Sequence, residues 1–570
     1  MAPKRATRET ASAAAAAKPA SAKPRGRPAG VKKEDTEKKP AVPKKSTESK
    51  KPEAKANTSK KRKAEADVEE VAPAKKSKRA VETKTTTKVT TKKTAVKEKK
   101  VTKPKKADKV VKAAAPKAPK REKTPKPAPA PKPKKPKVVI NTAPTTQLDV
   151  FAFGSNSNAE LAMGDTFKKA ECPRPKFNTV LSNAGVVQIS AGGMHGIALT
   201  HDNKVLTWGV NDQGALGRDT NWEGGLVDMD KAQESDSEDD DEEIEVNPKE
   251  ATPTEVNLSG VEPGTIFTQV VAADSASFAL TDDGFVYGWG TFRNSNGVWG
   301  FSPDVEVQHT PTLVPTIKSV TKLAAGSNHV LALLSDGSVY SWGVGEQDQL
   351  ARRVGERHAK EQALIPQKVG SRRGFVDIAT GTDHSFAVHK DGSVFAWGLN
   401  NFGQTGISSK AGESEAGILK PTVVPSLKNQ AKITHIAAGN FNSLAITENN
   451  ECLVWGRIDN SATGIDPSAL DKDDIIYDER DRPRILTNAT RIPGLDVTYA
   501  TYGTEHAIAV TKDGKAYSWG FNSSNQTGQP SNDDDEIKSA TVLQSKAIVD
   551  KSFIWAGAGG QYGMIASKHA

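Results

Sequence analysis

Cysteines and long hydrophobic runs are scarce in this 570-residue chain. Only Cys172 and Cys452 are present, so neither a disulfide framework nor a zinc site built from cysteines is expected. No run of 18 or more apolar residues occurs, which argues against a membrane-spanning helix. The N-terminus also lacks the apolar stretch of a secretory signal. These absences favour two free thiols in a reducing compartment.

Aromatic residues and glycine are almost missing from the first 140 residues, which hold no Phe, Tyr or Trp and two of the 46 glycines. This part has 45 Lys and Arg against 14 Asp and Glu, a net charge of +31, whereas residues 141–570 carry −20. Such a segment cannot bury enough apolar surface to offset its chain entropy. We therefore expect a disordered basic tail at 1–140. The remainder exceeds the size of one core, about 250–300 residues, which predicts several domains or repeats.

The tail contains motifs typical of a nuclear, DNA-binding protein. An extended Arg-Gly-Arg-Pro segment suits a narrow A·T minor groove and resembles the AT-hook core; it comprises Arg25, Gly26, Arg27 and Pro28. One bipartite or two separate signals for a nuclear import receptor comprise Lys60, Lys61, Arg62, Lys63, Lys75, Lys76, Lys78 and Arg79. Residues 97–137 resemble a linker-histone tail, which neutralises phosphates without reading bases. A membrane surface is the alternative, but no amphipathic face or lipidation site accompanies the charge.

A repeat of about 55 residues fills the rest of the chain. Its first motif occurs seven times, as Phe153-Gly154, Trp208-Gly209, Trp289-Gly290, Trp342-Gly343, Trp397-Gly398, Trp455-Gly456 and Trp519-Gly520. A Gly-x-x-His motif lies 17 residues before four of these glycines and contains His195, His329, His384 and His506. Asp-Gly turns separate short apolar blocks, as expected for β-hairpins. One histidine per repeat is read as structural, and no metal site is predicted.

Short strands at even spacing, with one Gly/aromatic signature per unit, predict an all-β β-propeller over residues 146–570. Seven units predict seven blades. The domain opens with the Trp-Gly half of a unit and finishes with a Gly-x-x-His half. Strands from both ends are therefore expected to complete one blade and close the ring. Seven units of Gly-x-x-His followed by Asp-Gly and Trp-Gly resemble the regulator of chromosome condensation family rather than WD40 repeats, whose units end in Trp-Asp. The fold alone also serves scaffolds and ubiquitin-ligase modules.

One repeat is longer in the loop after Trp-Gly, where ten residues separate Gly290 from Gly300 instead of eight. A tolerated surface insertion is one interpretation of the predicted hairpin. However, Phe-Arg-x-x-Asn-Gly-Val-x resembles the β-wedge of family members that exchange nucleotide on the small GTPase Ran. The resemblance implies a GTPase-contacting wedge of Phe292, Arg293, Asn294, Ser295, Asn296, Gly297, Val298 and Trp299. Phe292 and Trp299 would anchor its base, and Arg293 would meet the partner.

The resemblance implies exchange catalysis without covalent chemistry or a cofactor. A partner that prefers the nucleotide-free GTPase must weaken nucleotide binding by the same coupling free energy. The Gly-x-x-His turns would form the docking face, with family contact positions at Asp274, Asn328 and Phe441. Asn328 stands where the family has an acid, and Phe441 where it has a histidine. No nucleophile, P-loop or metalloprotease motif suggests an enzyme. The rival hypothesis is a chromatin-bound scaffold without exchange activity.

Two further charged segments are candidates for chromatin contacts. A basic segment resembles the histone-contacting loop of the family and is expected on the face opposite the wedge; its candidate residues are Arg352, Arg353, Arg357, His358 and Lys360. A solvated loop is the alternative. An acidic insertion at about 227–247 has nine acids at 234–245 and is expected to be disordered. It is a candidate to mimic nucleic acid, attract histones or bind the tail, with Ser235 and Ser237 as phosphorylation candidates.

Overall fold

The computed structural model describes residues 137–224, 244–414, 416–530 and 534–570. Within these residues the protein is all-β, with thirty strands and three short α-helices. The predicted disorder of the tail concerns residues that lie outside the described ranges, apart from the last four of the tail. Most of the predicted acidic insertion lies outside them as well.

The strands before residue 345 alternate with short turns. In chain order they are β1 (Leu148–Ser155), β2 (Glu171–Phe177), β3 (Val186–Ala191), β4 (His195–Thr200), β5 (Val205–Gly209), β6 (Thr254–Glu255), β7 (Phe267–Ala272), β8 (Ala276–Thr281), β9 (Val286–Gly290), β10 (Phe292–Asn294), β11 (Gly297–Gly300), β12 (Gln308–Leu313), β13 (Val320–Ala325), β14 (His329–Leu334) and β15 (Val339–Gly343). Two helices accompany them, α1 (Thr179–Asn183) and α2 (Pro248–Ala251).

The later strands continue the same alternation. They are β16 (Gln367–Lys368), β17 (Phe375–Thr380), β18 (His384–His389), β19 (Val394–Leu399), β20 (Gly417–Val423), β21 (Ile433–Ala438), β22 (Asn442–Thr447), β23 (Glu451–Arg457), β24 (Ile475–Tyr477), β25 (Pro483–Tyr502), β26 (His506–Thr511), β27 (Ala516–Phe521), β28 (Glu536–Val542), β29 (Phe553–Ala558) and β30 (Tyr562–Lys568). Helix α3 (Ala359–Leu364) follows β15.

Antiparallel four-stranded sheets are the repeating unit. The described strands form sheets in the orders β3-β4-β5-β6, β12-β9-β8-β7, β13-β14-β15-β16 and β17-β18-β19-β20. A longer sheet runs from β21 to β28 through the continuous strand β25. The sheet β2-β1-β30-β29 joins strands from both ends of the described chain, with Leu148 opposite Lys568.

The Trp-Gly motif forms the third strand of most sheets, and its indole bridges neighbouring sheets. Trp208 Nε1 donates to Glu160 O at 2.9 Å, and Trp289 Nε1 donates to Ala215 O at 2.8 Å. Each acceptor lies in the loop after the corresponding strand of the preceding sheet. A buried indole needs such an acceptor to avoid an unpaired N–H group. The tryptophan therefore supplies both apolar packing and a polar tie between sheets.

The chain enters the fold at one of the Asp-Gly turns. Lys137 Nζ contacts Asp282 Oδ1 at 2.5 Å, and the N–H groups of Ile140 and Asn141 donate to Asp282 O at 2.7 and 2.9 Å. Asn141 Nδ2 also donates to Val320 O at 2.8 Å. Residues 137–141 are thus part of the folded unit, so its N-terminal limit precedes the predicted one.

Candidate functional site

The predicted hairpin of residues 292–299, here called the wedge hairpin, forms a two-stranded sheet of its own. β10 and β11 are antiparallel, with Asn294 opposite Gly297. Gly297 has a φ of +109°, a conformation that glycine adopts without steric cost. Ser295 and Asn296 are exposed at the turn, and Val298 is 39% exposed. The hairpin therefore presents its tip to solvent.

Aromatic residues hold the base of the wedge hairpin, as predicted. Phe292 is fully buried and stacks on Phe278, with 6.0 Å between ring centroids. Trp299 is partly buried against the same core, and Lys360 Nζ lies 5.7 Å from its ring centroid. The two ends of the hairpin are therefore fixed to the sheet below.

Arg293 forms contacts within the chain, and its contact with a partner stays a prediction. Its Nη1 donates to Asp212 Oδ2 at 2.7 Å, and the Ser275 hydroxyl donates to the same oxygen at 2.7 Å. Asp212 lies in the loop after Trp208-Gly209 of the preceding sheet. Because this loop reaches the base of the hairpin, the Arg293 guanidinium is paired with a carboxylate of its own chain.

The following sheet holds the other side of the wedge hairpin. Asn328, in the turn between β13 and β14, accepts the Arg293 backbone N–H at 2.7 Å through Oδ1. Glu346, just after β15, accepts the Ser295 N–H at 2.9 Å and the Ser295 hydroxyl at 2.8 Å. Asn328 was predicted as a docking contact, and in the structure it supports the hairpin backbone.

The two other predicted docking residues lie at the same end of the sheets, because the Gly-x-x-His turns and the Trp-Gly strand ends share one edge, as the pairing of Ala276 with Gly290 shows. We call this edge the wedge face. Asp274 is exposed there. Phe441 is partly buried, with its ring centroid 4.6 Å from Phe402 and 5.4 Å from the Arg457 guanidinium. Phe441 stands where the family has a histidine, so this position contributes aromatic and cation–π contacts instead of an imidazole.

A group of acids gives the wedge face its charge. Burial, together with the nearby Asp274 and Glu346 carboxylates, raises the pKa of Asp383 to about 6. The Gln349 amide donates to Asp383 Oδ1 at 3.1 Å and acts in the opposite direction. The face therefore favours a partner with cationic or hydrogen-bond-donating groups.

The four Gly-x-x-His histidines are structural, as predicted. His195, His329 and His384 hydrogen-bond to serine hydroxyls of the next sheet at 2.9, 2.8 and 2.8 Å. His506 bonds to Tyr562 O at 3.2 Å. Burial lowers the pKa of His195 and His506 to about 4, and that of His329 and His384 to about 3. All four imidazoles are neutral at physiological pH.

Neither a metal site nor a membrane span emerges from the described residues. No group of three or more His, Cys, Asp or Glu side chains is placed to hold a metal ion in that part of the chain. The helices described there are also too short or too polar to cross a bilayer.

The basic segment lies beside the wedge hairpin, and the prediction of the opposite face is wrong. Lys360 covers Trp299, and α3 contacts β11. The reason is that this segment follows Trp342-Gly343 as the hairpin follows Trp289-Gly290, so both leave the same edge of neighbouring sheets. Arg353, Arg357 and His358 are exposed.

Arg352 is a structural residue rather than an exposed histone contact. Its guanidinium donates to Ser341 O at 3.1 Å, to the Ser341 hydroxyl at 2.7 Å and to Gln362 O at 3.0 and 3.1 Å. Burial lowers its pKa to about 10. Arg352 is therefore removed from the candidate histone-contacting residues, which leaves Arg353, Arg357, His358 and Lys360.

Several predicted sites cannot be placed because they lie outside the described residues. They are the AT-hook-like motif at 25–28, the import motifs at 60–63 and 75–79, and the serines of the acidic insertion at 235 and 237.

Repeated four-stranded antiparallel sheets, each built around a buried Trp-Gly strand, define a repeat protein of the β-propeller type. The sequence profile of the RCC1-like domain matches residues 149–565, and the chain belongs to this family. The guanine nucleotide exchange factor SRM1 of Saccharomyces cerevisiae is 37% identical over 73% of this chain and 86% of its own length.

Two solved structures have the same fold. Prp20p from Saccharomyces cerevisiae, described with its binding properties to Gsp1p and histones, has a TM-score of 0.67 at 32% identity; the match covers 76% of this chain and 96% of that one. Yeast RCC1 (Prp20) bound to Kap60 has a TM-score of 0.68, also at 32% identity, and the match covers 77% and 95%.

The sequence analysis missed three residues that a comparison of equivalent loop positions would have identified, namely Asp212, Glu346 and Arg218. Asp212 and Glu346 are both the third residue after the glycine of Trp-Gly, and Arg293 occupies the same position in the repeat between them. Arg352 aligns with Arg218, whose Nη2 donates to Thr207 O at 2.7 Å. These positions become meaningful only when each loop is compared with its neighbours.

Proposed function

We propose that this chain is a guanine nucleotide exchange factor for the small GTPase Ran that acts on chromatin. The observation that carries the proposal is the wedge hairpin, with its buried base and solvent-exposed tip, in a chain 37% identical to a named exchange factor. The described binding of the Prp20p relative to Gsp1p and histones supports the same pair of partners.

The proposed scaffold is a ring of seven blades over residues 146–570, preceded by the basic tail 1–140. Antiparallel pairing of β1 with β30 supports closure of the ring by both ends. Two hydrogen bonds support the same closure, since Gly560 N donates to Gly193 O at 3.0 Å and Tyr562 Oη donates to Gly192 O at 3.2 Å. A closed ring removes open sheet edges and gives a rigid platform.

The proposed mechanism is displacement without covalent chemistry. A GTPase holds its nucleotide through backbone amides, a P-loop lysine and Mg²⁺. A hairpin that enters beside the phosphate site and moves these groups lowers the affinity for GDP and GTP alike. The cellular excess of GTP then sets the direction of exchange. The exposed residues of the hairpin are the ones that we expect to contact the GTPase, namely Val298, Ser295 and Asn296.

The proposed chromatin contacts combine the tail and the basic segment. The tail residues Arg25–Pro28 would occupy an A·T minor groove, and its lysines would neutralise phosphates. Arg353, Arg357 and His358 are exposed and suit an acidic histone surface. The import motifs would bind an import receptor, in line with the Kap60 complex of the Prp20 relative. Nuclear Ran-GTP for transport and mitosis would thus be produced at chromatin.

The decisive test is release of mant-GDP from Ran by the full-length protein. We expect clear acceleration, and we expect Val298→Asp to lower kcat/KM about 10-fold, because a charge at the tip opposes entry into the partner. Phe292 is unsuitable as a test position since it is fully buried and its loss would open a cavity in the core. Val376→Asp is the matched control, because Val376 is 57% exposed on β17.

No acceleration by the wild-type protein would leave the rival hypothesis of a chromatin-bound scaffold. Equal losses in the two valine variants would remove the hairpin tip from the proposed mechanism.

A further inference from the structure

We infer that Asp212 and Glu346 are positioning residues that set the orientation of the wedge hairpin before a GTPase binds. The inference rests on the proposed exchange function and concerns how the hairpin is kept ready for it. Neither carboxylate belongs to the hairpin, and they reach it from the sheets on either side of it.

The wedge hairpin needs external support because it is small. Its strands have three and four residues, and the pairing is irregular between Phe292 and Arg293. Two-stranded hairpins of this kind are marginal in water without packing partners. The aromatic anchors act only at the base, and a Cβ atom placed on Gly297 would meet nothing within 4 Å. Apolar packing therefore leaves the tip unsupported.

Charged hydrogen bonds supply the missing support from two directions. Asp212 fixes the Arg293 guanidinium at 2.7 Å and is itself held by the Ser275 hydroxyl. Glu346 takes both donors of Ser295 at the tip, at 2.9 and 2.8 Å. Hydrogen bonds to an ionised acceptor are about twice as strong as neutral ones. One carboxylate thus fixes the base of the hairpin, and the other fixes its turn.

The repeat explains how these acids come to flank the hairpin. In three consecutive loops, the third residue after the Trp-Gly glycine is Asp212, then Arg293, then Glu346. Equivalent positions on adjacent sheets leave the same edge, so a cation in the middle repeat has an acid on each side. The lengthened middle loop rises between them, and Glu346 reaches its turn rather than the arginine.

A fixed orientation matters because the wedge must move part of its partner. A loose hairpin would lose conformational entropy when it enters the GTPase. This loss would weaken the complex in which the nucleotide has been displaced. Initial docking depends on the surrounding face and needs no fixed hairpin. Loss of the carboxylate support should therefore lower kcat for catalysed exchange and leave KM nearly unchanged.

The test uses the full-length protein and mant-GDP release from Ran over a range of Ran concentrations. We expect Glu346→Ala to lower kcat about 10-fold with KM within about two-fold of wild type, and Asp212→Ala to act in the same direction. Glu346→Gln should have a kcat between those of wild type and Glu346→Ala, because its amide oxygen still accepts the Ser295 N–H although the charge is lost. Urea unfolding midpoints should match wild type.

Asp466→Ala is the matched control. Asp466 also accepts both donors of a serine, from Ser468 N at 2.8 Å and Ser468 Oγ at 2.7 Å, but it lies in the loop between β23 and β24. This variant should exchange nucleotide like wild type.

Three results would overturn the inference: an increase in KM at constant kcat for Glu346→Ala, which would make the carboxylate a direct GTPase contact; unchanged kinetics in both alanine variants; or a Glu346→Gln variant as slow as Glu346→Ala. Absence of exchange by wild type would instead refute the proposed function, so the two failures are distinguishable.

Discussion

At the scale of single residues, the acids of the wedge face differ in what holds them. Asp212 and Glu346 accept two hydrogen bonds each, whereas Asp274 is exposed at the surface and interacts with the Ser327 side chain. Asp383 has one amide donor and two acidic neighbours, and burial contributes most to its raised pKa of about 6. A carboxylate in this position lowers the stability of the fold when it is ionised, because its charge is desolvated and lies near other acids.

Replacing Asp383 with Asn should therefore stabilise the protein at neutral pH. The folded-state pKa of Asp383 is raised, so the unfolded chain ionises first and the fold loses stability as pH rises from about 3.8 towards 6; above 6 the loss is complete. We expect a gain of about 1–2 kcal/mol for Asp383→Asn at pH 7.5 and a smaller one at pH 4.5. Urea unfolding at both pH values measures it. An equal gain at both pH values, or a loss at pH 7.5, would contradict this assignment.

At the scale of elements, the sequence contains two insertions after Trp-Gly, the wedge hairpin and the basic segment. The prediction of a hairpin agrees with the structure, whereas the predicted position of the basic segment does not. The wedge hairpin was predictable because Asn-Gly and flanking aromatics define a turn and its anchors locally. The basic segment was predicted on the wrong face because the charge of a segment does not indicate on which face of the sheets it lies. Its position depends on Trp299 and the adjacent sheet, residues about 50–60 positions away in the chain.

Arg352 and Arg353 show the same limit and permit a direct test. Arg352→Lys should lower the free energy of unfolding by about 2–3 kcal/mol, because an ammonium cannot replace four guanidinium hydrogen bonds to Ser341 and Gln362. Arg353→Lys should change it by less than about 0.5 kcal/mol, since Arg353 is exposed. Urea unfolding of both variants provides the comparison. An Arg352→Lys protein of unchanged stability that binds nucleosomes poorly would restore Arg352 as a histone contact.

At the scale of the whole molecule, charge is divided between two parts of the chain. The tail carries +31 and the remainder −20. The first described residues, Lys137 to Asn141, are bound to the Asp282 turn, so the folded unit begins before residue 140. Asp-Gly turns and Gly-x-x-His turns lie at opposite ends of the strands. Residues 137–141 therefore contact the sheets at the end away from the wedge hairpin.

Deletion of residues 1–136 should separate the two proposed activities. We expect kcat/KM for mant-GDP release from Ran to stay within about two-fold of wild type, because the wedge face is intact. Affinity for DNA at 150 mM salt should fall by at least about 100-fold, since most phosphate-neutralising charge is removed. Binding should be measured by a salt titration on the same DNA. Unchanged DNA affinity after truncation would contradict the tail assignment.

The sequence by itself determined the all-β repeat, the turn positions and the wedge hairpin, because Trp-Gly, Asp-Gly and Asn-Gly act through backbone geometry and local burial. It also determined that the four repeat histidines are structural, since they recur at equivalent places. The tertiary structure decided which charges are free. Whether Arg293 and Arg352 meet a partner or an internal acceptor depends on loops of neighbouring sheets, and a contact between chemically ordinary residues that are distant in sequence has no local signature.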